Sequence, residues 1–270
     1  MKRWLFPTFV LLTVTLVAGA AFAQEVSFKD PTGDDKGPGT YVYPTDKVYK
    51  AGSFDLVEFK MKASGDKATF SVTLGSALED PWGMGGGFAT QMIFIFIDTD
   101  GKEGSGFTKG LPGLNVAFAP ADAWDKCVIL SPQPQNRVVS EVETKAAWAK
   151  GAVLVPTRTR GAGRTISGTV SLKELGEGDP AKWGYQVVVQ SNEGFPDKAD
   201  LLTRKVNEFE GQHRFGGGTD GDCDPHVMDI LAGKGTGDAS EVEEQKKALA
   251  YECEADGSPK KMAALPMVRK

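Results

Sequence analysis

The run Met92-Ile-Phe-Ile-Phe-Ile97 constrains this chain more than any other stretch. Its residues are apolar, and most are β-branched or aromatic. It is short for a buried helix and stops at the turn sequence Asp98-Thr-Asp-Gly101. The run predicts a central strand covered on both faces. Around it, nearly every periodic segment has period two. Val57, Phe59 and Met61 alternate with Glu58, Lys60 and Lys62. Ala68, Phe70, Val72 and Leu74 do the same after Gly65-Asp66, which predicts a hairpin. Leu114, Val116 and Phe118 alternate next. Short strands are expected at 127–130, 138–142 and 153–157, and longer ones at 166–172 and 185–189. Helical patterning is sparse, at 145–150, 171–175 and 240–247, the last with Ser240 and Glu243 spaced as a capping box. Ten or so short strands punctuated by 33 glycines and 15 prolines predict an all-β, antiparallel β-sandwich with a few short helices.

The first residues read as a leader rather than as part of this sandwich. Lys2 and Arg3 precede an apolar stretch that closes on Ala21-Phe22-Ala23, a small-residue cleavage pattern, so residues 1–23 are expected to be removed on export. Residues 24–270 are then expected to form one β-sandwich domain, with a hairpin at about 220–270 tied by a disulfide. The leader holds two cations and no acid, so the remainder is more acidic than the −5 of the whole chain. An acidic chain without a basic stripe argues against nucleic acid and anionic membrane surfaces. After the leader the longest wholly apolar run is 92–97, too short to span a bilayer.

Three cysteines suit an oxidising compartment. Cys223 and Cys253 lie 30 positions apart in one tail. A bridge between them closes a loop worth about 3–4 kcal/mol in the chain-entropy account. Cys127 opens the apolar Cys-Val-Ile-Leu and reads as a buried thiol, although its pairing with Cys223 or Cys253 stays open from sequence alone.

Residues 30–59 lead into the first hairpin and pose a separate problem. Asp30, Asp34, Asp35, Asp46 and Asp55 crowd this stretch among glycines and prolines, with Lys36, Lys47 and Lys50 as its only cations. Two things could hold it in place. A hard cation such as calcium takes carboxylate and carbonyl oxygens, and those five aspartates are its candidate ligands. Alternatively, Tyr41, Tyr43, Val48, Tyr49 and Phe54 dock on a sheet.

Other constellations are weaker. Asp220, Asp222 and Asp224 start like an EF-hand loop, but Pro225 stands where glycine is required and Leu231 where a bidentate Glu belongs. Asp98 and Asp100 read as a turn. His213 and His226 are the only histidines, with no cysteine at zinc-like spacing and no nucleophile motif, so the chain does not read as an enzyme. Among the tryptophans, Trp82 lies in a glycine-rich loop and Trp124 in a short turn, which makes their indoles the candidates for stacking on a sugar ring. Trp183, before the 185–189 strand, reads as core.

Several of these stretches also carry a resemblance. DPTGDDKGPGTYVYPTD followed by AGSFDLVEF, then IFIDTDGKEGSGFTKGLPGLNVAF with AWDKCVIL, RFGGGTDGDCDPHVMDIL and finally ALPMV resemble the C-terminal domain of glucodextranase, over most of residues 30–268. That domain recurs in secreted amylolytic enzymes and cell-surface proteins. The resemblance implies a DOMON-like, jelly-roll-like sandwich similar to family-nine carbohydrate-binding modules. It further implies an exported, non-catalytic module that binds carbohydrate or an envelope glycan. A structural envelope or surface-layer protein, or an accessory subunit docking on a secreted glycosidase, is the alternative. A haem-binding DOMON-type module is a third, for which His226 and Met228 are the nearest pair.

Overall fold

The computed structural model describes Met1 and residues 24–270, so the leader expected at 1–23 lies outside the described residues apart from Met1. The strands are β1 (Gln24–Lys29), β2 (Leu56–Ser64), β3 (Lys67–Leu74), β4 (Gln91–Asp98), β5 (Val116–Phe118), β6 (Lys126–Leu130), β7 (Val153–Leu154), β8 (Thr159–Ala162), β9 (Thr165–Ser171), β10 (Gly184–Ser191), β11 (Asp229–Ile230), β12 (Glu252–Cys253), β13 (Pro259–Lys261) and β14 (Ala263–Leu265). The helices are α1 (Gln135–Lys145), α2 (Leu172–Leu175) and α3 (Glu241–Ala248). Two five-stranded sheets dominate, in the orders β1-β2-β3-β9-β8 and β11-β10-β4-β6-β7. All their pairings are antiparallel except β6 with β7. The protein is mostly β, as the period-two patterning requires.

The alternation decides which side chains meet. Phe59, Met61, Phe70, Val72 and Ile166 of the first sheet face Ile93, Ile95, Ile97, Val187 and Val189 of the second. The opposite face of β4 and β10 is also covered: Met92, Phe94, Phe96 and Val188 pack with Leu114, Trp124, Val138, Val142 and Leu201. Every residue of β4 is consequently buried, as its unbroken apolar run predicts. A side chain of this size contributes about 1.5–3 kcal/mol when fully buried.

Three local expectations are corrected. The segment 138–142 is helix rather than strand: Val138 and Val142, four apart, share the buried face of α1, and Glu141 pairs with Lys145. The helix expected at 145–150 is instead the end of α1 followed by a single 3-10 turn. Ser240 precedes α3 but caps nothing with its side chain. Its hydroxyl donates to Asp238, and Glu243 pairs with Lys246, so the capping box does not form.

Near the C-terminus, β12 and β13 form a small antiparallel hairpin, and a disulfide joins Cys223 to Cys253 across 30 positions. Cys127 is the buried free thiol, pushed up by that burial. The chain then leaves the hairpin, and β14 pairs in parallel with β5.

Candidate functional site

The segment between β1 and β2 is docked along much of its length. Tyr41, Tyr49 and Phe54 are buried in the inter-sheet core, with Tyr43 and Val48 packed against it. The Tyr41 hydroxyl donates to the Pro225 carbonyl, and Val42 exchanges backbone hydrogen bonds with Gly216. This docking brings some of the acidic residues together and keeps others apart.

Asp30 and Asp34 meet Asp229 of β11, with a carboxylate oxygen of each within 4.8 Å of the others and all three residues buried. Asp30 accepts from the Ala232 N–H, and Asp229 from the Leu56 and Ile230 N–H groups. Asp55 flanks the group and accepts from the Gly33 N–H. The second oxygen of Asp30 and both oxygens of Asp34 are buried without any partner. Among the described residues no ion pair reaches any of the four.

Electrostatics follow from that crowding. Burial, then the neighbouring Asp34, pushes the Asp30 carboxyl up to about 9 against the lowering effect of the Ala232 N–H. Burial, with Asp55 and Asp35 adding to it, raises Asp34 to about 7. Asp55 rises to about 6, again mainly by burial, and Asp229 lies well above the carboxylate range because of burial and Asp30. Helix α3 braces the cluster from outside. Gln245 donates to the Asp34 carbonyl and accepts from the Ile230 N–H.

The other two candidate ligands serve elsewhere. Asp35 accepts from the Tyr43 hydroxyl, which itself accepts from the Phe54 N–H. Asp46 stands apart in a turn, where it accepts from the Val48 N–H at 3.0 Å and from Gln212 at 3.2 Å. Asp229 was missed by sequence reasoning, although a signal exists: it is a lone carboxylate inside the apolar run Val227-Met-Asp-Ile-Leu231.

A second acidic group, Asp98, Asp100 and Asp125, has a different character. Asp98 pairs with Arg269, Asp125 accepts from Thr99, and Asp100 accepts from the Lys102 N–H and the Ser105 hydroxyl. These are bonded turn residues. Asp222 meets Lys205 and His226, while Asp224 accepts from Thr219, so the sequence around Cys223 is also an internally bonded turn.

The tryptophans separate cleanly. Trp124, a sequence candidate for sugar stacking, is 0% exposed. Its indole N–H donates to the Lys109 carbonyl, and its ring packs on Phe96 and Phe107. That corrects the expectation: it is a core residue with no free face, as is Trp183. Trp148, half-exposed at the rim of the same aromatic group, was not singled out.

Trp82 is 40% exposed, in a loop fastened by the Asp80 carboxylate, which accepts from the Met84 and Gly85 N–H groups. Its ring lies 6.4 Å from Tyr49, and Tyr49 lies 5.8 Å from His213. The Arg204 guanidinium sits 5.9 Å from the Tyr49 ring and pairs with Glu193 at 2.7 Å. The Trp82 loop also lines, through Met84–Gly86, a cavity of about 150 Å³. That cavity shares Gln135, Val155, Pro156 and Thr157 with one of about 380 Å³.

A haem-type axial pair finds no support. His226 accepts from the Val206 N–H through Nδ1 and faces Asp222 through Nε2, and Met228 is inside the inter-sheet core.

The family described as the C-terminal binding-module, SLH-like, of glucodextranase matches residues 26–268. The chain belongs to this family. No curated protein matches it. The match spans the two sheets, the aspartate cluster and the Trp82 loop. The family's description is of a binding module, and among the described residues no helix is long and apolar enough to cross a membrane.

Proposed function

We propose that the chain is an exported, non-catalytic module that binds carbohydrate or an envelope glycan at the Trp82 loop, with calcium ordering the aspartate-rich segment between β1 and β2. The observation that carries the binding surface is the Trp82 indole. It is exposed, held in a loop pinned by Asp80, and meets the Tyr49 ring, which in turn packs with His213 and lies under the Arg204 guanidinium paired to Glu193. The apolar face of a pyranose stacks on such a ring, while charged and hydroxyl groups meet the sugar's hydroxyls. The adjoining cavities are lined by serine, threonine, glutamine, proline and charged side chains together with Leu154, Val155 and Val170, so the hydroxyls and the apolar face of a sugar both find partners there.

Electrophoresis through gels containing polysaccharides, preceded by a glycan-array screen, tests this. Retardation of the wild type and its loss in Trp82→Ala is the expected result. Wild-type mobility that no polysaccharide alters refutes glycan binding, and unchanged retardation of the variant removes the Trp82 loop from the site. A second reading, attachment to a surface layer or cell envelope, draws on the SLH-like description of the family. Sedimentation with purified cell walls but no retention by soluble polysaccharides favours it.

A further inference from the structure

The calcium part of that reading leaves open which residues hold the ion, and the cluster of Asp30, Asp34 and Asp229 supplies an answer that rests on it. Asp34 is 6% exposed, yet neither of its carboxylate oxygens has a partner, and the same holds for one oxygen of Asp30, which is 4% exposed. An orphaned buried polar group costs about 1–3 kcal/mol, and more when charged. A single proton shared between Asp34 and Asp30 bridges two of these three oxygens at most and leaves the third bare. A cation in the space between the three carboxylates takes one oxygen from each. A cavity of about 220 Å³, bordered by Gly33, Gly37, Gln245 and the lysines Lys36 and Lys246, opens beside Asp34.

We propose that Asp30, Asp34 and Asp229, flanked by Asp55, form a single divalent-cation site of the calcium class. The donors are all oxygen, with no histidine or cysteine among them, which suits a hard cation. Their arrangement comes from a turn and a short strand rather than from a regular frame, and calcium accepts irregular coordination of six to eight oxygens where magnesium holds to an octahedron. Asp30 already bonds the backbone of Ala232 across 202 positions of sequence. The ion would therefore clamp the start of the aspartate-rich segment to the edge strand β11. Asp35 and Asp46 take no part.

Isothermal titration of chelator-treated residues 24–270 with calcium chloride decides the matter. Asp34→Asn is the main variant because its carboxylate takes no hydrogen bond from another residue, and Asp229→Asn tests the distant ligand. The expected result is one ion per chain, bound at least ten-fold more weakly by each variant and unchanged in Asp46→Asn. Circular dichroism confirms that the variants fold, and Asp34→Asn stands alone if Asp229→Asn does not. Calcium bound with unaltered affinity by Asp34→Asn overturns this site while leaving an ion elsewhere in the protein. Affinity lowered by Asp34→Asn but not by a folded Asp229→Asn removes β11 from the site. Absence of any calcium binding to the wild type refutes both the site and the calcium reading.

Discussion

Replacing Asp30 by asparagine should stabilise the chelated protein and shrink the stabilisation that calcium adds. Without a cation, the native protein keeps a proton on Asp30, whose carboxyl is pushed up to about 9, whereas the unfolded chain releases it at the ordinary 3.8. Between those values the native state binds more protons, so its stability falls as pH rises from about 4 to about 9. At pH 7 the difference amounts to about 4 kcal/mol at most. Asparagine carries no proton to lose. Its side-chain oxygen keeps the bond from the Ala232 N–H, and its amide puts a donor among carboxylate oxygens that have none.

For a chain of this size about 1 kcal/mol corresponds to about 2–4 °C in Tm. Calcium at a hundred times its Kd adds about 2.7 kcal/mol to the wild type, and the variant, with a neutral ligand in place of an anion, gains less. Differential scanning calorimetry at pH 5, 7 and 8.5, in chelator and in calcium, reads both effects. In chelator the wild type should melt progressively lower as pH rises, and the variant should show a flatter profile lying above it at pH 7. Below about pH 4 the trend reverses, because Asp222 is held far below the usual range by His226 and Lys205 and contributes stability that acid removes. A variant that melts below wild type by the same margin in chelator and in calcium would refute the reasoning, since it would make Asp30 an ordinary hydrogen-bonded residue.

Reduction of Cys223–Cys253, whose loop spans 30 positions, should cost about 3.6 kcal/mol by the chain-entropy relation and lower Tm by about 7–14 °C, measured by calorimetry with and without reductant. Gly37→Ala and Gly33→Ala should differ although both positions have positive φ: a Cβ at Gly37 meets the Tyr41 ring at 2.3 Å and the Val227 carbonyl at 2.8 Å, whereas one at Gly33 meets nothing within 4 Å. Gly33→Ala should cost about 1–2 kcal/mol in thermal denaturation, and Gly37→Ala clearly more. Trp124→Ala should cost about 3–5 kcal/mol while any folded fraction keeps the wild-type gel retardation; loss of retardation with unchanged Tm would make Trp124 a ligand contact after all.

The fold was legible because burial writes itself into a strand with a period of two. Phe59, Phe70 and Val72 point inward for the reason their neighbours Lys60, Ser71 and Thr73 do not. The unbroken run in β4 likewise announced a strand covered twice. The segment at 138–142 misled because the adjacent Val138-Val139 suits a strand, and only the i,i+4 relation to Val142, with Glu141 and Lys145 alongside, reveals the helix. The two stacking candidates show the same limit from another side. Trp82 and Trp124 both follow turn residues, but exposure depends on what the chain lays over each indole, and Trp124 is covered by Phe96, Phe107 and Trp148 from three separate segments.

The aspartates carry that argument to its end. Local composition pointed to residues 30–55, where acid is dense, yet density measures how polar a loop is and not whether its carboxylates lack partners. Asp46 has bonds from its own turn and from Gln212 and needs nothing further, and Asp35 holds Tyr43. Asp34, directly before Asp35 in the same stretch, has none from another residue for either oxygen. What separates them is Asp229, brought by the β10–β11 pairing against the segment between β1 and β2, and that pairing is a long-range fact no window of sequence contains. The usable signal lay in the opposite of density. An acid alone among Val227, Met228, Ile230 and Leu231 is costly to bury, and a chain that buries it must keep a proton on it, hydrogen-bond it or set a cation beside it. Isolated acids in apolar strands are therefore better markers of where carboxylates are buried together than the acidic loop itself.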